Sequence, residues 1–474
     1  MDRTALNRQI GRRLWWLKEA RQESQRYRYL AAKTLRTRQR PAADLPNVLV
    51  VSLDSVGAGH LGCYGYERPT SPHIDRLAQG GVLFENVRTQ ANWTKPALAS
   101  LHTSLYPSVH RTDSEGETGD RVDASARLKA NVLDARFRTA AQDFHDAGYA
   151  TAGISDGGYS HSFFGFARGF DYYENRGGKF KSSAYRLLRW VLGQPRRPFF
   201  AWIHAWDAHF PYMDRPPYNR MFVDQRSNLV LSAGTRRAIN GGHLQIGKSD
   251  QEFLKGLFDG AINYLDKQVG ALLRELEQLD LLANTFVVIT ADHGEAFLEH
   301  AFVEHTECLY DEVLRVPMIV SGPGLGGGKR IRAQARSLDI MPTLLDLCGL
   351  SSGAEVQGVS LLPWIHGVRS DDLLAVSETE RGGGQIALCD GRFKLIVGKS
   401  DDRMEIYDLE SDPGEKQNLA DRRPDLRGIM KGQLASWESQ TRACAQRFGQ
   451  EALEQSVELN AEVVGRLTDL GYLE

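Results

Sequence analysis

No run of about 18 apolar residues occurs anywhere in the 474-residue chain, so no membrane-spanning helix is predicted. The basic N-terminus is not followed by the apolar stretch of a signal peptide, and the chain is expected to be cytoplasmic, at most peripheral to a membrane. Cysteine is scarce: Cys63, Cys308, Cys348, Cys389 and Cys444 are odd in number, and no two lie close in sequence. A disulfide framework and a CxxC zinc site are thereby excluded, leaving buried free thiols in a reducing compartment. A net charge of −2 supplies no global attraction to polyanions, so no nucleic-acid partner is expected. Internal repeats are absent as well. What remains is an ordinary globular composition, 42% hydrophobic and 25% charged, in a chain long enough for a large core.

The charge is distributed unevenly. Residues 1–40 hold 12 of the 58 Lys/Arg and 3 of the 60 Asp/Glu, a local net of +9 that leaves −11 on the remainder. Leu6, Ile10, Leu14 and Leu17 recur there at helical spacing, with Trp15 and Trp16 beside them. The pattern is a basic amphipathic helical arm with its linker, residues 1–45. Packing on its own domain or on a second subunit is the plainer use for it, and a homo-oligomer is expected. Contact with an anionic membrane surface or a polyanionic glycan is the sharper one.

From residue 46 the texture changes. "NVLVVSL" (47–53) is a continuous β-branched apolar run, as a central parallel strand requires. "YATAGIS", "PFFAWIHA", "NTFVVITA" and "VPMIVSG" are similar, and helical patterns lie between them. The longest spans Ser249–Leu281, with Leu254, Phe258, Ile262, Leu265, Val269, Leu272 and Leu276 on one face. Strands alternating with helices predict an α/β fold with a mostly parallel sheet over residues 46–384. After about residue 385, "QIALCDGRFKLIVGK" and "MEIYDLESDPGEKQNLA" read as an antiparallel set followed by a helical tail, a small α+β subdomain over 385–474.

In open α/β sheets ligands gather at the carboxyl ends of the strands. Asp54 ends the first strand, and Asp292 and His293 end another in "VVITADHGEAFLEH". Two strand-end carboxylates and an imidazole suggest a metal site. In "ANWTKPALASLHTS" (91–104), Thr94 stands before Lys-Pro at the start of a helical pattern. Thr and Pro are good helix-start chemistry, so a simple cap explains Thr94. The same place is an anion-binding position where a metal would activate the hydroxyl as a nucleophile. Spacing alone leaves both readings open.

Taken together, these segments resemble the sulfatase branch of the alkaline-phosphatase superfamily. "NVLVVSLDSVGAGHLGCYGYERPTSPHIDRLAQGGVLFENV" is similar to the family's opening strand and metal aspartate. "WTKPALASLHTSLYPSVH" is similar to its nucleophile motif C/S-x-P-S-R-x-x-L-x-T-G, and "TADHGEAFLEHAFVEHTECLYDEVLRVPMIVSGPG" to its second metal segment. "LDIMPTLLDLCGL", "VQGVSLLPWIHG", "GRFKLIV" and "EIYDLESDPGEKQNLA" follow in the family's order, so that the likeness covers about residues 46–425. It implies an alkaline-phosphatase-like sheet flanked by helices. It implies Asp54, Asp292 and His293 as metal ligands and Thr94 as nucleophile and ligand. His209 and His305 are implied as catalytic residues that hold ester oxygens or assist the leaving group. His204 and Asp207 are implied only as supports, and for His204 a satisfied strand-end histidine is the favoured reading.

The departures carry information too. A sulfatase's Cys or Ser is oxidised to formylglycine, and threonine, a secondary alcohol, would give a ketone instead. Ala97, Leu98 and Ser104 replace the motif's Ser, Arg and Gly, and Gly57 and Gly59 stand where relatives carry Arg and Asp. Ser55 replaces the second Asp of calcium-binding members, which weakens an all-oxygen calcium site. With an imidazole in the set, Mn²⁺ or Zn²⁺ is the favoured cofactor, ahead of Mg²⁺ or Ca²⁺. A second metal on Asp207, His209 and His305 is a lesser expectation. The expected activity is metal-dependent hydrolysis of phosphodiesters or phosphonate monoesters, or of sulfate esters, through a Thr94 covalent intermediate. The alternatives are transfer of a phospho-substituent to a glycan or lipid, and an inactive binding protein on the same fold.

Overall fold

The computed structural model describes residues 45–113, 129–194, 197–212, 215–224, 227–449 and 456–469. The predicted N-terminal arm lies outside the described residues. An eight-stranded sheet forms the centre, in the order 329–336, 82–88, 318–321, 285–291, 47–53, 199–205, 150–155, 172–174. Five of its seven pairings are parallel. Both exceptions involve Met318–Ser321, which runs antiparallel to its two neighbours. "VPMIVSG" reads like the other strands because burial, not direction, dictates an apolar run. Its direction follows from the chain path: the loops after Ala291 stay at one end of the sheet, so the chain re-enters from that end.

The strand Asn47–Leu53 is buried at every position between Phe199–Ala205 and Thr285–Ala291. Residues covered on both faces cannot alternate polar and apolar, which explains its unbroken hydrophobicity. The helix Lys248–Gln278 buries all seven residues of the stripe read from the sequence. At about 25 cal/mol per Å² of apolar surface, each such leucine or phenylalanine contributes roughly 1.5–3 kcal/mol. Among the described residues no helix is long and apolar enough to cross a membrane.

A four-stranded antiparallel meander, 375–379, 385–389, 393–398 and 404–408, forms a second sheet, with helix Pro424–Arg447 after it. Leu426, Met430, Leu434 and Trp437 of that helix share a core with Val376, Leu388, Leu395 and Ile406 of the sheet. The sheet begins at Ala375, ahead of the change in texture near 385. That first strand, AVSET, is polar because it serves the larger unit: Ser377 Oγ donates to Thr89 O (2.5 Å) and Glu378 N–H to Gln90 O (2.9 Å). The two sheets are also pinned by buried charge. Lys394 Nζ lies 2.9 Å from Asp311 Oδ1 and 2.8 Å from Glu415 Oε1, and Arg88 Nη2 lies 2.7 Å from Asp311 Oδ2.

Candidate active site

Strand register builds the floor of the site. Leu53 pairs with Ala291, so the residues that follow, Asp54 and Asp292, emerge side by side. His204 pairs with Ser52 and Ser155 one step inside the sheet end. Its Nε2 lies 3.3 Å from Asp54 Oδ2 and 3.9 Å from Asp292 Oδ2. Among the described residues these three buried atoms have no partner of good hydrogen-bond geometry other than one another. His204 is therefore not the satisfied strand-end histidine favoured by its sequence context. Ser52 Oγ, which also accepts from the Trp202 indole (3.0 Å), engages only Nδ1 (2.9 Å) and turns Nε2 toward the carboxylates.

His293 joins from the other side. Its Nδ1–H donates to Gly294 O (3.0 Å), which leaves the Nε2 lone pair 3.4 Å from Asp292 Oδ2 and 3.8 Å from Asp54 Oδ1. Asp292 Oδ1 is held by the backbone N–H groups of His293 (2.9 Å) and Ser55 (3.2 Å). Ser55 sits at φ 64°, and its hydroxyl donates to Asp54 Oδ1 (3.0 Å). The loops carrying the two aspartates meet each other and the Glu312 segment so closely that a Cβ on Gly294 would stand 2.2 Å from Glu312 O and 3.2 Å from Gly57 Cα. Gly57 meets the same carbonyl at 3.2 Å. The glycine where relatives carry arginine thus belongs to this close approach.

Thr94 is the first residue of the buried helix Thr94–Thr103, and the N-cap position belongs to Trp93. Its hydroxyl caps nothing: Oγ1 points to His293 Nε2 at 3.3 Å. Of the two readings left open in the sequence, the simple cap does not describe this hydroxyl. Leu98 and Ala97, where the motif has Arg and Ser, are buried on the same helix as packing residues.

A small pocket, partly open to solvent, lies in front of Thr94. His209 and His305 both line it, with ring centres 5.5 Å apart, and the His305 ring centre is 4.1 Å from that of His293. His305 Nδ1 is paired with Glu295 Oε2 (3.0 Å), and Tyr212 O–H donates to Glu295 Oε1 (3.1 Å). Glu295 and His204 are the participants that sequence reasoning missed or undervalued. The only available signal for Glu295 was its place in "DHGE". Asp207, by contrast, is turned away. Its oxygens are taken by Arg215 and by Phe180 N–H (2.7 Å), so it does not combine with His209 and His305 into a second metal site.

The electrostatics are those of a cation-binding cradle. Burial would raise Asp54, but the neighbouring imidazoles His209, His204 and His293 outweigh it and hold the carboxyl below the usual carboxylate range. Burial, with Asp54 adding to it, pushes its neighbour Asp292 up. Burial disfavours a charged His204, yet Asp54 and Asp292 raise it. Burial, then His293 and His209, push His305 well below the usual imidazole range. Asp54, His204 and Asp292 each offer a ligand atom within 4.8 Å of the others. The donor set of Asp54, His204 and Asp292 is one that could hold a divalent cation, and His293 Nε2 lies against both carboxylates.

Comparison with known proteins gives concordant results. A family model described as Sulfatase matches residues 46–350, and one described as N-sulphoglucosamine sulphohydrolase, C-terminal, matches 298–440. A Delta 4,5-hexuronate-2-O-sulfatase of Bacteroides thetaiotaomicron is 26% identical over 427 residues, covering 80% of this chain and 85% of that protein. The phosphonate monoester hydrolase of Agrobacterium radiobacter superposes with a TM-score of 0.68 at 22% identity, over 84% of this chain and 96% of that one. A protein solved in complex with its substrate D-glucosamine-2-N,6-O-disulfate superposes with a TM-score of 0.69 at 18% identity, over 87% and 100%. At such identities the superpositions establish a common fold.

Proposed function

The chain belongs to the sulfatase family, a family of ester hydrolases, and from that premise we propose that it cleaves sulfate esters of glycans with Thr94 as nucleophile and a divalent cation as cofactor. The observation that carries this reading is the position of Thr94 Oγ1, 3.3 Å from His293 Nε2 beside the unpartnered Asp54, Asp292 and His204 atoms. The glycan part rests on the curated relative and on the neighbour solved with a sulfated glucosamine.

Asp54, Asp292, His204 and His293 would hold the cation, which supplies Lewis-acid stabilisation of charge on the transferring group and favours ionisation of Thr94. Thr94 Oγ1 forms a bond to sulfur as the bond from sulfur to the sugar oxygen breaks. The hydroxyl proton of Thr94 ends on that leaving oxygen, carried by an imidazole of the pocket. His305 suits the task because burial keeps it neutral and able to accept a proton, and Glu295 fixes its ring. Water then cleaves the Thr94 sulfate ester, releasing sulfate and restoring the hydroxyl.

A second reading, hydrolysis of phosphonate monoesters or phosphodiesters, is favoured by one feature. An unmodified threonine cannot become the aldehyde that formylglycine sulfatases use, and a neighbouring fold is a phosphonate monoester hydrolase. The deciding experiment compares p-nitrophenyl sulfate with bis(p-nitrophenyl) phosphate on Mn²⁺-loaded protein, with Thr94→Ala as control. Sulfate preference with a Thr94→Ala loss of about 10³-fold or more supports the first reading. Phosphate preference selects the second, and unchanged turnover in Thr94→Ala removes both.

A further inference from the structure

Among the described residues, the charged side chains that line the pocket in front of Thr94 are Arg236, Glu304 and Arg381. Arg381, from the turn Arg381–Gly383 of the C-terminal subdomain, lies over the Trp93 ring, its guanidinium carbon 3.9 Å from the ring centre. Arg236 is carried by the helix Ala233–Asn240. Glu304 ends a small hairpin, Ala296–Phe297 paired with Val303–Glu304, that leads from the strand-end residues 292–295 to His305. The carboxylate of Glu304 is left half bonded.

Two contacts fix it in place. Arg236 Nη1 donates to Glu304 Oε2 (2.9 Å). The helix that carries Arg236 is clamped to the hairpin: Asn240 Nδ2 donates to Val303 O (3.1 Å), and Val303 N–H donates to Asn240 Oδ1 (2.9 Å). Glu304 is only 4% exposed. Its Oε1 is buried and, among the described residues, accepts no hydrogen bond. A buried acceptor without a donor is destabilising, the more so when it carries charge. Burial raises the Glu304 carboxyl and Arg236 lowers it, and the balance stands at about 6, so the group is ionised at neutral pH. The backbone adds a second cost. Glu304 has φ 65°, in the left-handed region where a side chain is strained and glycine is favoured. Glycine would make this turn with less strain, so the turn does not account for a glutamate here.

The place of the carboxylate identifies the donor it lacks. His305 follows Glu304 directly and lines the same pocket, and on the hydrolase reading its imidazole serves the leaving oxygen. That oxygen belongs to a sugar, so the groups that come beside Glu304 are those on the neighbouring ring carbons. A second sulfate or carboxylate there would be repelled by the Glu304 charge. Arg236 already balances that charge, so no cation is called for, and a neutral hydroxyl fits. A side chain fixed before the ligand arrives loses little freedom on binding it. Resting on the hydrolase reading of this same site, we infer that Glu304 is a specificity-determining residue, its Oε1 accepting a hydrogen bond from a sugar hydroxyl next to the ester that Thr94 attacks.

The test is binding, measured by calorimetry on Mn²⁺-loaded Thr94→Ala protein so that no ligand is consumed. The probes are glucose 2-sulfate and glucose 6-sulfate, each with analogues in which one ring hydroxyl at a time is replaced by fluorine. Fluorine fills the place of the hydroxyl but donates no hydrogen bond. At least one analogue should bind about 10-fold or more weakly than its parent, the range of a hydrogen bond to a charged group, and its position identifies the hydroxyl. Adding Glu304→Ala should shrink that penalty to about twofold. Glu304→Gln keeps the volume and an oxygen for Arg236 but loses the charge, and should shrink it to about threefold; it carries the comparison if the alanine variant fails to fold. Failure of both parent sugars to bind, the absence of any penalised analogue, or a penalty that survives the Glu304 substitutions overturns the inference. Turnover of p-nitrophenyl sulfate, which has no sugar hydroxyl, by the wild type tests the hydrolase reading separately, so the two can fail independently.

Discussion

Replacing Asp292 by asparagine should change stability in opposite directions with and without metal. In metal-free protein Asp54 and Asp292 are buried carboxylates whose ligand oxygens lie within 4.8 Å. At an effective dielectric of about 20, two unit charges at that separation repel by about 3 kcal/mol, partly offset by the nearby imidazoles. The asparagine amide would keep the acceptor for Ser55 N–H and His293 N–H and would turn an N–H donor toward Asp54 Oδ2. The repulsion is thereby removed. The per-residue entropy of unfolding implies about 1 °C per kcal/mol for a chain of this length, so Asp292→Asn should melt about 2–3 °C higher in chelator. Saturating cation at about 1,000 times its Kd adds about 4 kcal/mol to the wild type, and the variant, lacking one anionic ligand, forgoes most of it. In Mn²⁺ or Zn²⁺ the variant should therefore melt lower than the wild type. The assay is calorimetric melting of both proteins under the two conditions, with metal content measured in parallel. An equal loss of stability in both conditions would refute the reasoning, because Asp292 would then be a structural acceptor and not a ligand.

Three further outcomes follow from the geometry. Glu295→Gln should lower kcat about 10- to 100-fold with little change in KM, since Glu295 positions His305 rather than binding substrate; unchanged kcat in steady-state assays would exclude that role. His204→Ala should reduce metal affinity about 10-fold or more by titration with Mn²⁺, whereas a spectator histidine would leave it unaltered. Lys394→Met should destabilise the fold by about 3–5 kcal/mol in urea titrations at pH 7, because it leaves Asp311 and Glu415 buried without their partner. Burial would lower Lys394, but those two carboxylates raise it, so its contribution is complete below pH 10.5 and is lost only as pH rises through its elevated folded value. Burial would raise Asp311, but Arg88 and Lys394 depress it, so its share is present above pH 3.8 and disappears as pH falls. Wild type and Lys394→Met should accordingly converge in acid; a gap that stays constant down to pH 3 would show that the ion pairs are not its source.

The fold was legible wherever burial alone determines residue type. The run 47–53 and the seven-residue stripe of the long helix each report a surface covered by neighbours, and a surface of that kind excludes polar side chains. Strand direction was not legible at Met318–Ser321, because an apolar run looks the same whichever way it points. The site divides along a similar line. Asp54, Asp292, His293 and Thr94 stand at element ends, where a chemically active residue breaks a local pattern and attracts notice. His204 and Glu295 break no such pattern, and what distinguishes them is pairing in three dimensions. His204 owes its position to a register with Ser52, 152 residues away in sequence, and its character to a hydroxyl that engages one ring nitrogen and leaves the other toward two carboxylates. Arg381 is the extreme case. Nothing within "TERGGGQ" marks it, and its place beside Trp93 and Thr94 depends on Asp113, which joins Trp93 to Glu380, 267 positions further along the chain than Asp113 itself. Residues at element ends are visible in the sequence, whereas Glu295 and Arg381 are brought beside the Thr94 pocket by tertiary contacts, and only the folded chain displays them.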